Sequence, residues 1–335
     1  MQRRDRARRP TMEDVAARAG VSRALVSIVY RDVPGASEAT RAKVLRAAAE
    51  LDYRPDHRAR LLGRQRTRLL GVVYGVRHAF HGDLVEALYA AAEPAGYDVA
   101  LSAVAPSRDE QRAVQSLLDY RCEALILLGP EQRPARLAAL AERMPVVAVA
   151  RKVRAGGVDV VRTDDAGGIR QAVEHLVGLG HRRIVHVDGG RAPGAAERRT
   201  GYRLAMKRAG LDPHVVPGGL TEEDGAAAAG EALRLRATAV AVFNDRSAIG
   251  LLDQVRRRGR AVPDDLSVIG YDDSSLARLS HVGLTTVGQN ARTLAELAVG
   301  RALDRLDGVD VPPGELVVPP FLVVRGTTAQ VSGRR

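Results

Sequence analysis

The chain has 335 residues, a formal net charge of +11 and a single cysteine. This length is enough for a small domain and a larger two-lobed one. Cys122 cannot form a disulfide within the chain and, beside the apolar run Ala124–Leu128, is expected to be a buried small hydrophobic residue. The sequence has neither a signal-peptide pattern nor an apolar run of transmembrane length, so we expect a cytoplasmic protein without membrane contact.

The positive charge is concentrated at the N-terminal end of the chain. Residues 1–68 carry 17 Lys or Arg against 8 Asp or Glu, whereas residues 69–335 carry 34 against 32. A basic segment joined to a nearly neutral body is typical of a protein whose small domain binds nucleic-acid phosphates. We interpret residues 1–10 as a basic tail that contacts DNA, if at all, without sequence preference.

The stretch Thr11–Arg31 predicts two short helices joined by a tight turn. Thr11 and Asp14 form a Ser/Thr-x-x-Asp/Glu helix start, in which the hydroxyl accepts a hydrogen bond from a backbone N–H of the first turn. Gly20 ends this helix because glycine adopts the left-handed conformation without strain. Ser22 is the predicted cap of the second helix.

The second predicted helix has one apolar side and one open side when its residues are placed about 100° apart. The apolar side consists of Leu25, Val26 and Val29. The open side consists of Arg23, Ala24, Ser27, Ile28 and Arg31. In a helix-turn-helix the N-terminal part of such a helix meets base edges in the major groove, so the pattern predicts DNA contact. An ordinary helical hairpin is the alternative at this point.

A third helix is predicted to begin at Ser37 and to complete a head over residues 11–55. Its inward stripe is expected at Val44, Leu45, Ala48 and Leu51. Pro55 ends the head, because the residue before a proline avoids the helical region. Residues 56–68 form a linker, which composition alone describes as a charged tether.

From Leu69 onward, short apolar runs alternate with helical stretches such as Asp83–Ala95 and Ala166–Leu179. Runs that are continuously apolar, rather than alternating, indicate parallel strands covered on both faces. The sequence therefore predicts doubly wound α/β sheets, with enough strands for two lobes. The predicted strands are Leu69–Val76, Val99–Val104, Ala124–Leu128, Val146–Ala150, Ile184–Val187, Ala239–Phe243, Ser267–Tyr271 and Leu284–Val287.

No catalytic motif accompanies this fold. The sequence lacks the spacing of zinc proteases, of serine hydrolases, of P-loop enzymes and of a dinucleotide-binding glycine loop. Two carboxylate pairs, Asp164-Asp165 and Asp272-Asp273, are the remaining candidates for acid–base chemistry. We expect a protein that is not an enzyme and needs neither a cofactor nor a metal.

The motif D-V-A-x-x-A-G-V-S, from Asp14 to Ser22, resembles the head of the lactose-repressor (LacI/GalR) family of bacterial transcription regulators. Further phrases follow in the family's order along nearly the whole chain. They are GVVYGV at Gly71, EHLVGLGHRRI at Glu174, FNDRSAIG at Phe243, DDLSVIGYDD at Asp264, LTTVGQ at Leu284 and VVRGTTA at Val323.

This resemblance implies an effector-binding and dimerisation domain over residues 69–330 with a periplasmic-binding-protein-like fold. The chain would cross between the lobes near Asp164, near Gln289 and near Pro319-Pro320. Lobe 1 would then comprise about 69–163 and 290–319, and lobe 2 about 164–288 and 320–330. The implied function is a repressor that binds a palindromic DNA operator as a homodimer under the control of a small-molecule effector. A periplasmic-type binding protein without a DNA role is the alternative, disfavoured by the basic head.

The resemblance also implies which residues contact DNA. In the head they are Thr11, Ser22, Arg23, Ala24, Ser27, Ile28 and Arg31, and in a hinge helix of the linker they are Ala59 and Leu62. The hinge helix would pair with its dimer mate and wedge Leu62 between base pairs in the minor groove. Most relatives have arginine where this chain has Ile28, so an apolar contact with a thymine methyl group is expected there. Packing of Ile28 inside the head is the alternative.

The implied effector-binding residues lie at strand ends facing the cleft between the lobes. They are His78, Phe80, Arg151, Arg198, Leu220, Asn244, Asp272 and Gln289. Asn244 or Asp272 could instead cap the helix that follows it. Leu220 stands where relatives often have an aromatic ring, and His78 and Arg151 depart from the usual pattern. These departures favour a phosphorylated or acidic sugar over a neutral one.

Overall fold

Residues 10–31, 33–53 and 66–331 are described by the computed structural model, and they form two units separated between Thr67 and Arg68. The predicted hinge-helix residues Ala59 and Leu62 lie outside the described residues, as does the side chain of Arg31. No helix in the described ranges is long and apolar enough to cross a bilayer.

The first unit is a three-helix head that follows the predicted capping pattern. Its helices are α1 (Met12–Ala19), α2 (Arg23–Arg31) and α3 (Glu38–Glu50). The Asp14 N–H donates to Thr11 Oγ1 while the Asp14 carboxylate accepts the Thr11 N–H at 2.7 Å, so the first turn of α1 is closed in both directions. Gly20 ends α1 with a φ of 59°, and Ser22 Oγ accepts the Leu25 N–H.

The core of the head is small and built largely from valine and alanine. Its buried members are Val15, Ala16, Ala19, Val26, Val29, Val44, Ala47 and Ala48. The prediction that Leu45 faces inward was wrong, because its side chain is 53% exposed. The inward stripe of α3 continues from Val44 to Ala47 and Ala48, at helical spacing of three and four, which turns Leu45 outward.

Lobe 1 contains a six-stranded parallel sheet in the order β11-β5-β4-β3-β1-β2. Its strands are β1 (Leu69–Gly75), β2 (Asp98–Val104), β3 (Ala124–Leu128), β4 (Val146–Val149), β5 (Val158–Thr163) and β11 (Glu315–Val318). Helices α4 (Phe80–Ala92) and α11 (Ala291–Leu306) cover one face, and α5 (Glu110–Asp119) and α6 (Pro134–Ala141) cover the other. Both faces of the central strands are therefore buried, as their continuous apolar sequences predict.

Lobe 2 repeats this architecture on a smaller sheet, in the order β7-β6-β8-β9. The strands are β6 (Ile184–Val187), β7 (His214–Val216), β8 (Ala239–Val242) and β9 (Ser267–Ile269), with β10 (Thr286–Gly288) and β12 (Phe321–Val323) as an antiparallel pair beside them. Helices α7 (Asp165–Gly178) and α8 (Ala195–Arg208) pack on one face, and α9 (Glu222–Arg234) and α10 (Asp245–Arg257) on the other. The predicted two-lobed α/β body is thus confirmed.

Three adjacent segments carry the chain between the lobes, after β5, after β10 and after β11. They are tied to one another by hydrogen bonds. The Asp164 N–H donates to the Val318 carbonyl at 3.1 Å, and the Thr163 hydroxyl donates to the Gln289 carbonyl at 3.5 Å. A bundle of three short crossings can bend while both hydrophobic cores stay intact, which is the arrangement of a hinge.

Helices α9 and α10 approach closely because glycine occupies each side of their contact. A Cβ atom added to Gly250 would lie 1.9 Å from the Glu222 carbonyl oxygen, and one added to Gly225 would lie 1.8 Å from the Ser247 carbonyl oxygen. Backbone atoms of a helix cannot rotate away from such a methyl group, so the two helices would have to separate.

Gly250→Ala is therefore expected to lower the free energy of unfolding of the body by about 1–3 kcal/mol, the usual cost of overpacking. Gly300→Ala in α11 is the matched control, because an added Cβ there has no atom within 4 Å. It should leave stability unchanged or raise it by roughly 0.5–1 kcal/mol. Urea unfolding of both variants measures the difference, and equal losses of stability would contradict the close contact.

Candidate functional site

The lobe 2 side of the cleft is organised around Arg198, a buried residue in the first half of α8. Its Nε donates to Asp165 Oδ1 at 2.8 Å, and its Nη1 donates to the Phe243 carbonyl at 2.6 Å. The guanidinium also stacks on Tyr271, with 3.5 Å between Cζ and the ring centroid. Nη2 makes no hydrogen bond to the described residues.

Asp272 follows β9 and lies opposite this guanidinium. Its Oδ1 accepts a hydrogen bond from Gln289 Nε2 at 2.6 Å, which connects the strand end to the second crossing segment. Burial raises the pKa of the Asp272 carboxyl well above its usual value, and the positive charge of Arg198 opposes that rise. The backbone at Asp272 has a φ of 120°, a conformation that non-glycine residues rarely adopt and that must be held by the surrounding structure.

Asn244 caps α10. This was the alternative that the sequence left open for the residue. The Ser247 N–H donates to its Oδ1 at 2.8 Å, and its Nδ2 donates to the Leu220 carbonyl at 3.2 Å. The neighbouring Asp245 is fully buried and accepts hydrogen bonds from the Ser274 N–H and the Thr286 hydroxyl. Burial raises the pKa of Asp245 to about 6.

Two stacked histidines occupy the lobe 1 side, after β1. The rings of His78 and His81 lie 4.5 Å apart between centroids and are nearly parallel, and the Gly75 N–H donates to His81 Nδ1 at 3.0 Å. Burial lowers the pKa of His78 to about 4 and that of His81 well below its usual value, so both rings are uncharged at neutral pH. Phe80, expected as an apolar platform for the ligand, is buried among the core side chains of lobe 1. His81 was not predicted, since only its proximity to His78 in sequence pointed to it.

Arg151 follows β4 at the same edge of the sheet. Its Nη1 is buried without a hydrogen-bond partner, and so is Oε1 of Glu110, a residue that the sequence did not single out. Each residue lies at a strand end or at the start of the helix that follows one, which is where ligands bind in open α/β sheets.

The two halves of the candidate site face each other. Arg246 of lobe 2 donates from Nη1 to the Arg77 carbonyl of lobe 1 at 3.2 Å. Gly129, after β3, lies against the Pro193 ring, because a Cβ at Gly129 would be 2.8 Å from Pro193 Cγ. These two contacts join the facing sides of the lobes. The effector roles of the residues at this cleft stay predictions.

The head presents its predicted DNA-contacting residues along one side of α2. Ser22, Arg23 and Ala24 are exposed, and Ser27 and Ile28 are half-buried. Arg23 forms an exposed ion pair with Glu13 at 3.1 Å. Thr11 uses its hydroxyl in the cap of α1, where it donates to Asp14 at 2.7 Å.

Ile28 leans on the loop between α2 and α3. Two of its methyl carbons lie 3.6 Å from the position that a Cβ at Gly35 would occupy. Ile28 is nevertheless outside the buried core cluster of the head. Ile28 is thus half-buried. This position matches neither full exposure to a DNA groove nor full packing inside the head.

A three-helix head joined to a two-lobed α/β body with a polar cleft defines the class of ligand-controlled DNA-binding regulators. Residues 11–56 match the family described as bacterial regulatory proteins, lacI family, and residues 173–328 match the periplasmic binding protein-like domain. The transcriptional regulator GalR of Escherichia coli (strain K12) is 33% identical over 331 residues, with 96% of each chain covered. The ribose operon repressor of the same strain is 34% identical, with 95% of this chain and 99% of that one covered.

Solved structures agree with these sequence matches. A LacI transcriptional regulator from Rhodococcus species is 52% identical with a TM-score of 0.76, covering 78% of this chain and 99% of that one. The lac repressor dimer bound to operator and the anti-inducer ONPF is 30% identical with a TM-score of 0.79, covering 96% and 100%. The chain belongs to the LacI family of bacterial regulatory proteins. It is a DNA-binding transcription regulator, as the sequence predicted, and the alternative of a binding protein without a DNA role is set aside. The similar proteins are regulators rather than enzymes.

Asp165→Ala is expected to lower the free energy of unfolding of the body by about 3–5 kcal/mol, because it leaves the Arg198 charge buried without its partner. Glu174→Ala on the same helix is the matched control, since it removes only the exposed Arg170–Glu174 pair. The control should cost about 0–1 kcal/mol. Chemical unfolding of the two variants at pH 7 provides the test, and similar losses for both would show that Arg198 does not depend on Asp165.

Proposed function

We propose that the protein is a dimeric repressor that binds a near-palindromic operator and responds to a sugar or sugar derivative in the cleft. The observation that carries the effector assignment is the fixed pair of Arg198 and Asp272. Arg198 is held at Nε and Nη1, and Asp272 is held at Oδ1 by Gln289. Arg198 Nη2 and Asp272 Oδ2 are then a preset donor and acceptor, which suit neighbouring hydroxyl groups that both donate and accept.

Similar proteins support this assignment. The transcriptional regulator CelR, solved as a cellobiose complex, is 30% identical with a TM-score of 0.70 and covers 95% of this chain. The ribose operon repressor is named for the operon that it represses. The lac repressor structure with operator contains a dimer. One head reads one half-site, so a dimer matches the symmetry of a palindromic operator.

The linker is the proposed route from the cleft to DNA. It enters lobe 1 at Arg68, whose N–H donates to Glu123 at 2.8 Å immediately before β1 begins. Effector-dependent bending at the three crossings would move the two lobe 1 domains of a dimer relative to each other. The separation of the two linkers would change, and the paired hinge helices containing Ala59 and Leu62 would form or dissolve.

Separate loss of the two functions tests this route. Leu62→Ala should weaken operator binding at least tenfold while sugar binding stays unchanged, because the substitution removes only the minor-groove wedge. Asp272→Asn should abolish the sugar response while operator binding is kept. Asp253→Asn, in an exposed ion pair of α10, is the control for Asp272. Fluorescence anisotropy with a selected operator, with and without sugar, measures both functions. Wild-type operator affinity in Leu62→Ala would rule out the wedge.

A further prediction concerns the bases read by α2. Isoleucine offers no hydrogen-bond donor, so we expect an A·T pair opposite Ile28, with the side chain against the thymine methyl group. Ile28→Arg should gain preference for guanine there by about 1–3 kcal/mol, the worth of one bidentate contact. Operator selection from a random library with both proteins decides the matter, with Leu45→Arg as an exposed control on α3. Identical base preferences for wild type and Ile28→Arg would mean that residue 28 does not face the groove.

A further inference from the structure

Positive charge is concentrated on the edge of lobe 2 that faces away from the cleft. The strands of this sheet are parallel and point their carboxyl ends at the cleft, so the helix ends and loops that lead into them form the opposite edge. This basic edge consists of residues 179–183, 207–213, 231–238 and 253–266. It carries 10 Lys or Arg against 5 Asp or Glu, whereas the rest of residues 69–335 carries 24 against 27. The body is therefore slightly acidic apart from one strongly basic edge.

Most of these cations have no partner in the protein. Arg234 and Arg257 form ion pairs with Glu231 and Asp253 on their own helices. The other eight side chains are exposed and form no ion pair with any described residue, so their charge is open to an anion from outside. They are Arg182, Arg183, Lys207, Arg208, Arg236, Arg256, Arg258 and Arg260.

Contacts between neighbouring segments hold the basic edge together. The Thr238 N–H, before β8, donates to the Arg183 carbonyl, before β6, at 2.9 Å, and the Ser267 N–H of β9 donates to the Thr238 carbonyl at 3.0 Å. The Arg258 guanidinium lies against α9, since a Cβ added to Gly230 would be 3.3 Å from its Nη1. Adjacent strands are about 4.8 Å apart, so four neighbouring strands place their leading segments in a row roughly 15 Å long. The cations thus form one continuous surface.

Stabilisation of helix ends accounts for only part of this charge. Lys207 and Arg208 lie in the last turn of α8, and Arg256 lies in the last turn of α10. A cation there interacts favourably with the helix dipole, but the effect falls off beyond the last turn. The other five unpaired cations lie beyond the last helical residue, where the dipole does not explain them. They are Arg182, Arg183, Arg236, Arg258 and Arg260.

The chemistry of the basic edge fits the phosphates of a nucleic-acid duplex. All four of its segments are described, and none of the large hydrophobic side chains that are exposed falls within them. A protein partner would normally meet an apolar centre, and a membrane-binding surface inserts apolar side chains. Single-stranded nucleic acid stacks its bases on aromatic rings. The backbone of a duplex, in contrast, is bound by cations alone.

We infer that the basic edge binds the phosphate backbone of a second DNA duplex without sequence preference. Its arginines would donate to phosphate oxygens and displace the counterions condensed on the duplex. The linker enters lobe 1 at Arg68, before the amino end of β1, whereas the basic edge lies beyond the cleft at the far side of lobe 2. A dimer on its operator would then hold another DNA segment at the opposite end of its body. This role goes beyond the proposed effector control and does not depend on it.

A two-duplex capture assay with the full-length protein tests this second surface. Operator duplex is fixed to a support, saturated with protein and washed, and a labelled duplex of scrambled sequence is then added. Wild-type protein should capture it with a Kd of about 10⁻⁴–10⁻⁶ M, the range of sequence-independent binding, and capture should weaken steeply with salt. Labelled duplex is counted per molecule of operator-bound protein, which separates the second interaction from the first.

Substitution of four arginines locates the surface. A variant that combines Arg182→Gln, Arg236→Gln, Arg258→Gln and Arg260→Gln should weaken capture about tenfold or more at low salt while operator affinity is kept. The slope of log affinity against log salt should fall by about 1 for each arginine that contacts a phosphate.

A matched control removes the same number of exposed cations from lobe 1 and should capture the second duplex like wild type. It combines Arg133→Gln, Arg143→Gln, Lys152→Gln and Arg154→Gln. Melting temperatures show whether each variant keeps its fold. If the fourfold variant of the basic edge is unstable, Arg182→Gln with Arg260→Gln changes only exposed loop positions and should still give an intermediate loss of capture.

Each outcome has a distinct meaning. Failure of operator-bound wild type to capture the second duplex would overturn the inference, and so would equal capture by wild type and the folded fourfold variant. Vesicles of phosphatidylglycerol, added in place of the second duplex, should not bind. Binding of these vesicles without capture of duplex would assign the basic edge to a membrane surface instead. Operator binding is measured in the first step, so all of these results leave the proposed function standing, whereas loss of that first step would contradict it.

Discussion

The candidate effector site depends on a single buried ion pair, Arg198 with Asp165. Desolvation makes such a pair costly, and the attraction between its charges offsets that cost only where the remaining hydrogen-bonding groups are also satisfied. Here the guanidinium also donates to the Phe243 carbonyl and stacks on Tyr271. One side chain therefore joins the start of α7, the end of β8 and the end of β9. The donors and acceptors at this edge of lobe 2 are fixed before any ligand arrives, which lowers the entropy lost on binding.

Lobe 1 faces this fixed surface with a different kind of polarity. Its histidines are uncharged, and its charged residues retain unpartnered atoms, so it can gain hydrogen bonds on closing around a ligand. A ligand that adds these bonds in only one arrangement of the lobes shifts the balance between arrangements by that difference in affinity. Since the linker enters lobe 1 at the amino end of β1 and the cleft lies at its carboxyl end, the same strand connects both functions through a rigid sheet.

Much of the fold followed from local sequence, and the exceptions have a common cause. The capping box at Thr11, the glycine stop at Gly20 and the continuous apolar strands of both sheets depend on neighbours along the chain, and the structure confirms them. Strands β5, β7, β11 and β12 were not predicted. Three of these lie at an edge or in the two-stranded pair and have only three or four residues, so the apolar run in each is too short to stand out in the sequence. The strand at Val158–Thr163 is central but contains Asp159, whose charge is matched by Arg305 far along the chain.

The resemblance supplied single residues of the candidate site. It did not supply the residues that hold them in place from a distant part of the sequence. Arg198, Asp272 and Gln289 meet at the cleft, as expected from strand ends. Asp165 lies 33 residues before Arg198, so no local pattern joins this pair.

In the head, Ile28 likewise has a contact that its own helix does not predict. A helical wheel places it on the open side of α2, away from Val26 and Val29, and the structure keeps it out of the core. The wheel contains only the helix, however, and Ile28 rests on Gly35, which belongs to the loop after it. Because Gly35 has no side chain and a φ of 128°, the loop can pass close enough to support one face of the isoleucine while the other remains open. The part of Ile28 that remains exposed is thus shaped by the helix and the loop together.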